Sequence, residues 1–230
     1  MMESAPLDRR SMATGSGRRG ECSGGVLSVG MGDALLLVDL QEAFLEASGL
    51  ADARAGIVDS VTALAEAART AEVPILLVTT EHSRDRSTWT LNMIDDDQGF
   101  LFHGDPGTEV VHELDTTGMT RVEKTRDSAW FGTDLLLRMR NLDARRVVIA
   151  GVSTHACIAQ TARDAYANGL RADVVTDAVA DERPEHKDAV LDLLVGDRQA
   201  ELVRVQEVLD RWRGDTRTGR APARQRPSDR

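Results

Sequence analysis

The chain has 230 residues, of which 41% are hydrophobic but only 3% aromatic. That is enough for one domain with an aliphatic core of helices packed closely on a sheet. The net charge of −10 is uneven: residues 1–32 carry +1 and residues 214–230 carry +3, leaving about −14 on the body between them. An acidic body excludes nucleic acid as the main partner, because phosphate binding needs a basic surface. No stretch reaches the ~20 apolar residues that span a bilayer, so no membrane partner is expected.

Residues 1–32 are rich in Gly, Ser and Arg and lack periodicity, as does the Arg-rich stretch 214–230. Both are expected to be disordered tails around a single domain at 33–213. Within the first tail, Gly15-Ser16-Gly17-Arg18-Arg19-Gly20 fits the dinucleotide-binding glycine pattern, but no strand precedes it and no helix follows. No cofactor is therefore expected. Cys22 lies in this tail and Cys157 in the body, so a structural disulfide is not expected. The arginine pairs Arg9-Arg10 and Arg18-Arg19 lack a following apolar export segment. A reduced, cytoplasmic setting follows as the expectation.

The body begins with the aliphatic run Ala34 to Val38, read as a central strand with Asp39 at its carboxyl end. Leu40 to Phe44 leaves it as a loop. From Asp52 to Arg69, Ile57, Val58, Val61, Leu64, Ala65 and Ala68 recur at helical spacing. Ile75 to Val78 is a second buried strand. The segment from Glu81 to Gly118 is long and polar with scattered aromatics, the pattern of a lid or binding loop. Arg121 to Lys124 reads as a third strand ending in lysine, and Thr133 to Arg140 as a helix with Leu135, Leu136 and Met139 on one face.

Val147 to Ala150 is a fourth strand. It breaks at Gly151, offers Ser153 and Thr154 as caps, and leads into a helix with Cys157 near its start. A thiol there faces unpaired N–H groups and the positive end of the helix dipole, which lower its pKa. Leu170 to Thr176 and Leu202 to Val205 are two more strands; Pro184 to Val195 and Glu207 to Trp212 are helices. Strands alternating with helices predict a three-layer α/β/α domain on a mostly parallel sheet. Such sheets carry their sites beyond the carboxyl ends of the strands. Asp39, Lys124 and Cys157 all fall there.

If the three meet, Cys157 is a nucleophile, Lys124 an electrostatic support and Asp39 a general acid/base. The backbone N–H groups around Ser153 to Cys157 are placed to receive an oxyanion. Each residue also has a plainer role: a small packed hydrophobe, a loop anchor, a surface lysine.

Three blocks sharpen this. Val38-Asp39-Leu40-Gln41, then Glu123-Lys124 through Ser128-Ala129-Trp130-Phe131-Gly132-Thr133, then Gly151-Val152-Ser153-Thr154-His155-Ala156-Cys157 resemble the isochorismatase-like cysteine hydrolases. The resemblance implies a six-stranded, Rossmann-like parallel sheet, an Asp39–Lys124–Cys157 triad, and a cis peptide before Ser153 with an oxyanion hole from the Ser153 and Cys157 amides. It also implies a homodimer or homotetramer. Phe44, Arg126, Trp130 and Thr154 are expected to contact a small-molecule substrate, Arg126 through a carboxylate. Nicotinamidases of the family add a metal on an Asp-x-His pair. Asp52-Ala53-Arg54 lacks that histidine, and His82, His103 and His112 are too loosely spaced to replace it, so no metal is expected. Cys157 favours cleavage of an amide, ureido or carbamoyl C–N bond. Members that hydrolyse the vinyl ether of isochorismate with the aspartate as acid remain the alternative, and a non-catalytic binding member is a third reading. Asp127 departs from the family, which usually carries an aromatic residue there.

Overall fold

The computed structural model describes residues 32–47 and 49–214. Both tail expectations, Cys22 and the glycine pattern at 15–20 lie outside these residues, apart from Gly32 and Gly214 at their margins. Six strands, β1 (Asp33–Val38), β2 (Ile75–Thr80), β3 (Thr120–Lys124), β4 (Arg146–Gly151), β5 (Arg171–Val179) and β6 (Glu201–Val203), form one parallel sheet in the order β3-β2-β1-β4-β5-β6. The order reverses between β1 and β4, so a crevice opens beyond their carboxyl ends.

The central strands are buried on both faces, and their aliphatic residues divide by parity. Leu36, Val38, Val78 and Ile149 face one layer, formed by α4 (Leu135–Asn141), α5 (Ala159–Ala167) and α6 (Pro184–Gly196). Leu35, Leu37, Leu77 and Val148 face the other, formed by α2 (Arg54–Thr70) and α7 (Val205–Arg213). The six residues predicted for the inner face of α2 are its buried residues. Among the described residues no helix is long and apolar enough to cross a membrane.

Two departures from expectation concern the site. Leu40 to Phe44 is not simply a loop: a one-turn helix, α1 (Glu42–Leu45), follows β1. It is too short for hydrophobic periodicity to reveal. The long segment after β2 holds a short helix, α3 (Leu91–Asp95), whose N-cap Thr90 side chain accepts from the Met93 N–H. Isolated bridges tie the segment down at Gln41–Val110 and His82–Phe102.

Gly151 ends β4 with φ +123°, and a Cβ there would sit 1.9 Å from the Val38 carbonyl oxygen. Only glycine permits this approach of β4 to the end of β1. The Val152 N–H then donates to that same carbonyl at 3.0 Å. Asp39 leaves β1 in the left-handed region, φ 53°, which aspartate tolerates better than most residues.

Candidate active site

Four strands deliver one side chain each to the carboxyl edge: Asp39 after β1, Thr80 ending β2, Lys124 ending β3 and Cys157 in the turn after β4. The Lys124 Nζ stands between the others. It lies 2.8 Å from Asp39 Oδ2, donates to Thr80 Oγ1 at 2.5 Å and to Cys157 Sγ at 3.3 Å. Thr80 Oγ1 donates to Asp39 Oδ1 at 2.9 Å. All four are buried. The structure thus brings together the three residues expected from the strand ends.

Thr80 was not read from the sequence, because the strand was taken to end at Val78. The threonines that extend it were the available signal: β-branched residues continue a strand. Gln41 holds Thr80 in place. Its Nε2 donates to the Thr80 and Thr108 carbonyls, both at 3.0 Å, and its Oε1 accepts from the Thr80 N–H at 2.8 Å.

The turn that carries Cys157 is built from both neighbouring strands. The Val152–Ser153 peptide is cis, as the resemblance implies. Ser153 takes the N-cap position with extended backbone but makes no side-chain cap bond. The next residues, Thr154–Ile158, form a π-helical turn before α5. β5 runs on to Val179, beyond the expected Thr176, and both the Thr154 N–H and Oγ1 donate to the Ala180 carbonyl at 2.8 Å. Thr154 is therefore a fully buried anchor of the turn, and its hydroxyl is already used, contrary to the expectation of substrate contact. Asp181 Oδ2 accepts from both the His155 N–H and the His155 ring, each at 2.7 Å, pinning the same turn from outside.

The electrostatics reverse one expectation. Burial, and next the Asp39 charge beside it, push the Cys157 thiol well above its ordinary value, and Lys124 offsets this only in part. The helix start does not produce a resting thiolate. Burial alone would lower Lys124, but the Asp39 and Cys157 charges raise it, so its ammonium is secure at neutral pH. Asp39 Oδ2 forms the ion pair with Lys124, yet it accepts no aligned hydrogen bond.

A cavity of about 910 Å³ lies along the segment that follows Lys124, and none of Asp39, Thr80, Lys124 and Cys157 is among its lining residues. One wall is the α3 region from Thr90 to Phe100; the other combines Arg126 to Ser128, Phe131, and Gln160 and Asp164 of α5. The Glu81–Phe102 segment supplies the Thr90 to Phe100 side of this cavity. Trp130 is not a wall: it is buried and its indole N–H donates to the Thr161 carbonyl at 2.8 Å, leaving its neighbour Phe131 to face the cavity. Phe44 packs against the α2-side core instead. Arg126 lines the cavity, but its guanidinium donates to the carbonyls of Thr88, Thr125 and Trp89 at 2.8, 2.6 and 3.2 Å. It secures the α3 segment.

Among the described residues, three groups of side chains bring possible metal-ligand atoms within 4.8 Å of one another: Glu42–His112–Glu113, Glu81–His103–Glu123 and His155–Asp181–His186. In the first, Arg54 forks onto both carboxylates, at 2.6 and 2.8 Å. Its own positive charge fills the position where the nicotinamidase-type pair needs a histidine, so this donor set does not fit a cation. In the second, Arg121 pairs with Glu81.

An α/β/α fold of this topology with Asp, Lys and Cys converging at the switch point defines the cysteine-hydrolase class. The family model for the isochorismatase domain matches residues 33–207, and the chain belongs to that family as a hydrolase. It is 34% identical over 170 residues to a probable inactive nicotinamidase of Arabidopsis thaliana, covering 70% of this chain and 87% of that protein. The structure of N-carbamoylsarcosine amidase from Thermoplasma acidophilum is 29% identical, with a TM-score of 0.64, covering 76% of this chain and 97% of that one. A cysteine hydrolase from Pseudomonas syringae pv. phaseolicola 1448A shares the fold at a TM-score of 0.73 and 22% identity, covering 80% of this chain and 94% of that one.

Proposed function

We propose that the protein hydrolyses the C–N bond of a small amide, ureido or carbamoyl compound through a Cys157 thioester. The observation that carries this is the Lys124 ammonium held 2.8 Å from Asp39 and 3.3 Å from the Cys157 sulfur. Because the resting thiol keeps its proton, attack and deprotonation are coupled: Asp39 takes the proton as sulfur bonds to the carbonyl carbon. Lys124 balances the charge through this step. The developing oxyanion is received by the Ser153 and Cys157 N–H groups, a contribution of ~3 kcal/mol per donor. As the C–N bond breaks, Asp39 returns the proton to the leaving nitrogen. A water then gives its proton to Asp39, attacks the thioester, and the acid product leaves with the thiol restored.

Ammonia release from a panel of small amides and ureido acids tests this. Turnover lost in Cys157→Ala supports it; full turnover in that variant overturns it. The vinyl-ether reading would use the buried, hydrogen-bond-poor Asp39 Oδ2 as the acid. It is disfavoured because the Cys157 sulfur, held 3.3 Å from the Lys124 ammonium, would then have no part in the reaction. Pyruvate released from isochorismate by Cys157→Ala, but not by Asp39→Asn, would restore it.

A further inference from the structure

We infer that Thr80 is a positioning residue of the reaction: its hydroxyl occupies Asp39 Oδ1 and so commits Oδ2 to the proton of Cys157. This rests on the reading of Asp39 as the acid/base partner of Cys157. A lysine ammonium has three protons and no lone pair, whereas a hydroxyl has one proton and two lone pairs. The Lys124 Nζ, 2.5 Å from Thr80 Oγ1, can therefore only donate to it. That leaves the single hydroxyl proton for Asp39 Oδ1, at 2.9 Å. The direction of the relay, from Lys124 through Thr80 to Asp39, is fixed by the chemistry of its first member.

Asp39 is fully buried, and its two oxygens are left unequal. A proton added to Oδ1 would break the bond from Thr80 and strand a hydroxyl proton in a buried site, which is unfavourable. Oδ2 lies 2.8 Å from Lys124 and accepts no aligned hydrogen bond, so a proton arriving there breaks none. As sulfur bonds to the carbonyl carbon, the thiol proton passes to Oδ2. It later passes from Oδ2 to the leaving nitrogen, and Thr80 and Lys124 keep their own protons throughout. Thr80 is held in place from two sides. It pairs in register with Lys124 on the neighbouring strand. Its N–H and carbonyl are clasped by the fully buried Gln41, two residues beyond Asp39. The loop that carries the acid thus also fixes the hydroxyl that orients it.

Alkylation of Cys157 by iodoacetamide at neutral pH, read on its own peptide by mass spectrometry, tests this without a substrate. Sulfur bonds to carbon, iodide leaves and the thiol proton goes to Oδ2. Thr80→Val keeps the shape and removes the hydroxyl. Both carboxylate oxygens then compete for the ammonium and neither is reserved for the thiol, so labelling should slow about tenfold. Thr80→Ser keeps the hydroxyl and should stay within about threefold of wild type. In an Asp39→Asn background, Thr80→Val should have an effect of less than about twofold, because the hydroxyl acts through the carboxylate. Should Thr80→Val fail to fold, as urea denaturation reports, Thr80→Ala is read in the same way; loss of folding in both makes the hydroxyl structural and overturns the inference. So does an unlabelled wild type, an unchanged rate in Thr80→Val, an equal loss in Thr80→Ser, or a full effect of Thr80→Val without the Asp39 carboxylate. Propanamide and N-carbamoylglycine supply a second readout. Where either is hydrolysed, Thr80→Val should lower kcat about tenfold and change KM by less than about twofold; an effect on KM alone overturns the assignment. Should wild type hydrolyse neither while the labelling pattern holds, hydrolysis of such C–N bonds fails on its own and the assignment of Thr80 stands.

Discussion

The two ends of the sheet each hold a buried cluster of charges, and only one of them is built for chemistry. At the amino end, Asp173 of β5 lies 2.7 Å from Arg211 and 3.4 Å from Arg146, while Asp33 of β1 accepts from the Trp212 indole at 2.9 Å. At the carboxyl end stand Asp39, Thr80, Lys124 and Cys157. Both clusters contain a fully buried aspartate with a carboxylate oxygen that accepts no aligned hydrogen bond. The cations differ. Arg146 and Arg211 remain more than a quarter exposed, whereas Lys124 is sealed in. Arg211 pins α7 to the sheet, while Arg146 joins β4 to β5. At the carboxyl end a compact ammonium touches an acid and a thiol at once. A buried ion pair alone is poor evidence of a site; a thiol sharing its cation is better evidence.

The comparison breaks or sharpens under four measurements. Cys157→Ala is expected to lower kcat/KM by about 10⁴-fold or more while leaving urea denaturation nearly unchanged. A large stability loss would mean the sulfur is mainly packing. Lys124→Met should also abolish turnover, and it should cost about 3–5 kcal/mol in urea denaturation, because it leaves Asp39 buried without its cation. A negligible cost would make the two ends alike.

The third measurement concerns alkaline pH. The Lys124 pKa is raised above its ordinary 10.5. Its contribution to stability is full below that value and is lost as pH rises through the higher folded value. Cys157 works in the same direction: the unfolded thiol ionises near 9.0, the folded one holds its proton, and stability falls above that pH. Alkaline unfolding should therefore begin near pH 9 and flatten in Cys157→Ala. In the same range, iodoacetamide should label Cys157 more slowly than an exposed thiol; faster labelling at neutral pH would show a resting thiolate.

The smallest effect is expected at the amino end. Burial raises the Asp173 pKa despite Arg211 and Arg146. Its ionised form is thus held at a loss, and that loss is relieved as pH falls through the raised value. Asp173→Asn should change stability by no more than about 1 kcal/mol in either direction, and a loss of several would contradict the contrast.

Much of this arrangement was legible in the sequence because it repeats. The inner face of α2 follows from helical spacing, and the parallel sheet from aliphatic runs between helices. Asp39, Lys124 and Cys157 stood out because each falls at or just past a strand end. Features without a period were hidden. Neighbouring Trp130 and Phe131 are equally apolar, and only the Thr161 carbonyl waiting for an indole N–H decides which turns inward. Thr154 lost its expected contact to Ala180, a residue on another strand end. The direction of the Cys157 shift depends on burial and on Asp39, 118 positions away in the chain. The position of the thiol at a helix start carries neither.

The missing side chain at Gly151 divides the molecule for anyone who wishes to redirect it. With no room for a methyl group against the Val38 carbonyl, the stretch from Gly151 to Cys157 should tolerate almost no variation in a mutant library. The cavity windows Leu91 to Phe100 and Asp127 to Phe131 instead present exposed side chains at Leu91, Asn92, Asp96, Phe100, Asp127 and Phe131. Selection for new substrates should therefore collect its winning substitutions in those two windows and return the glycine unchanged.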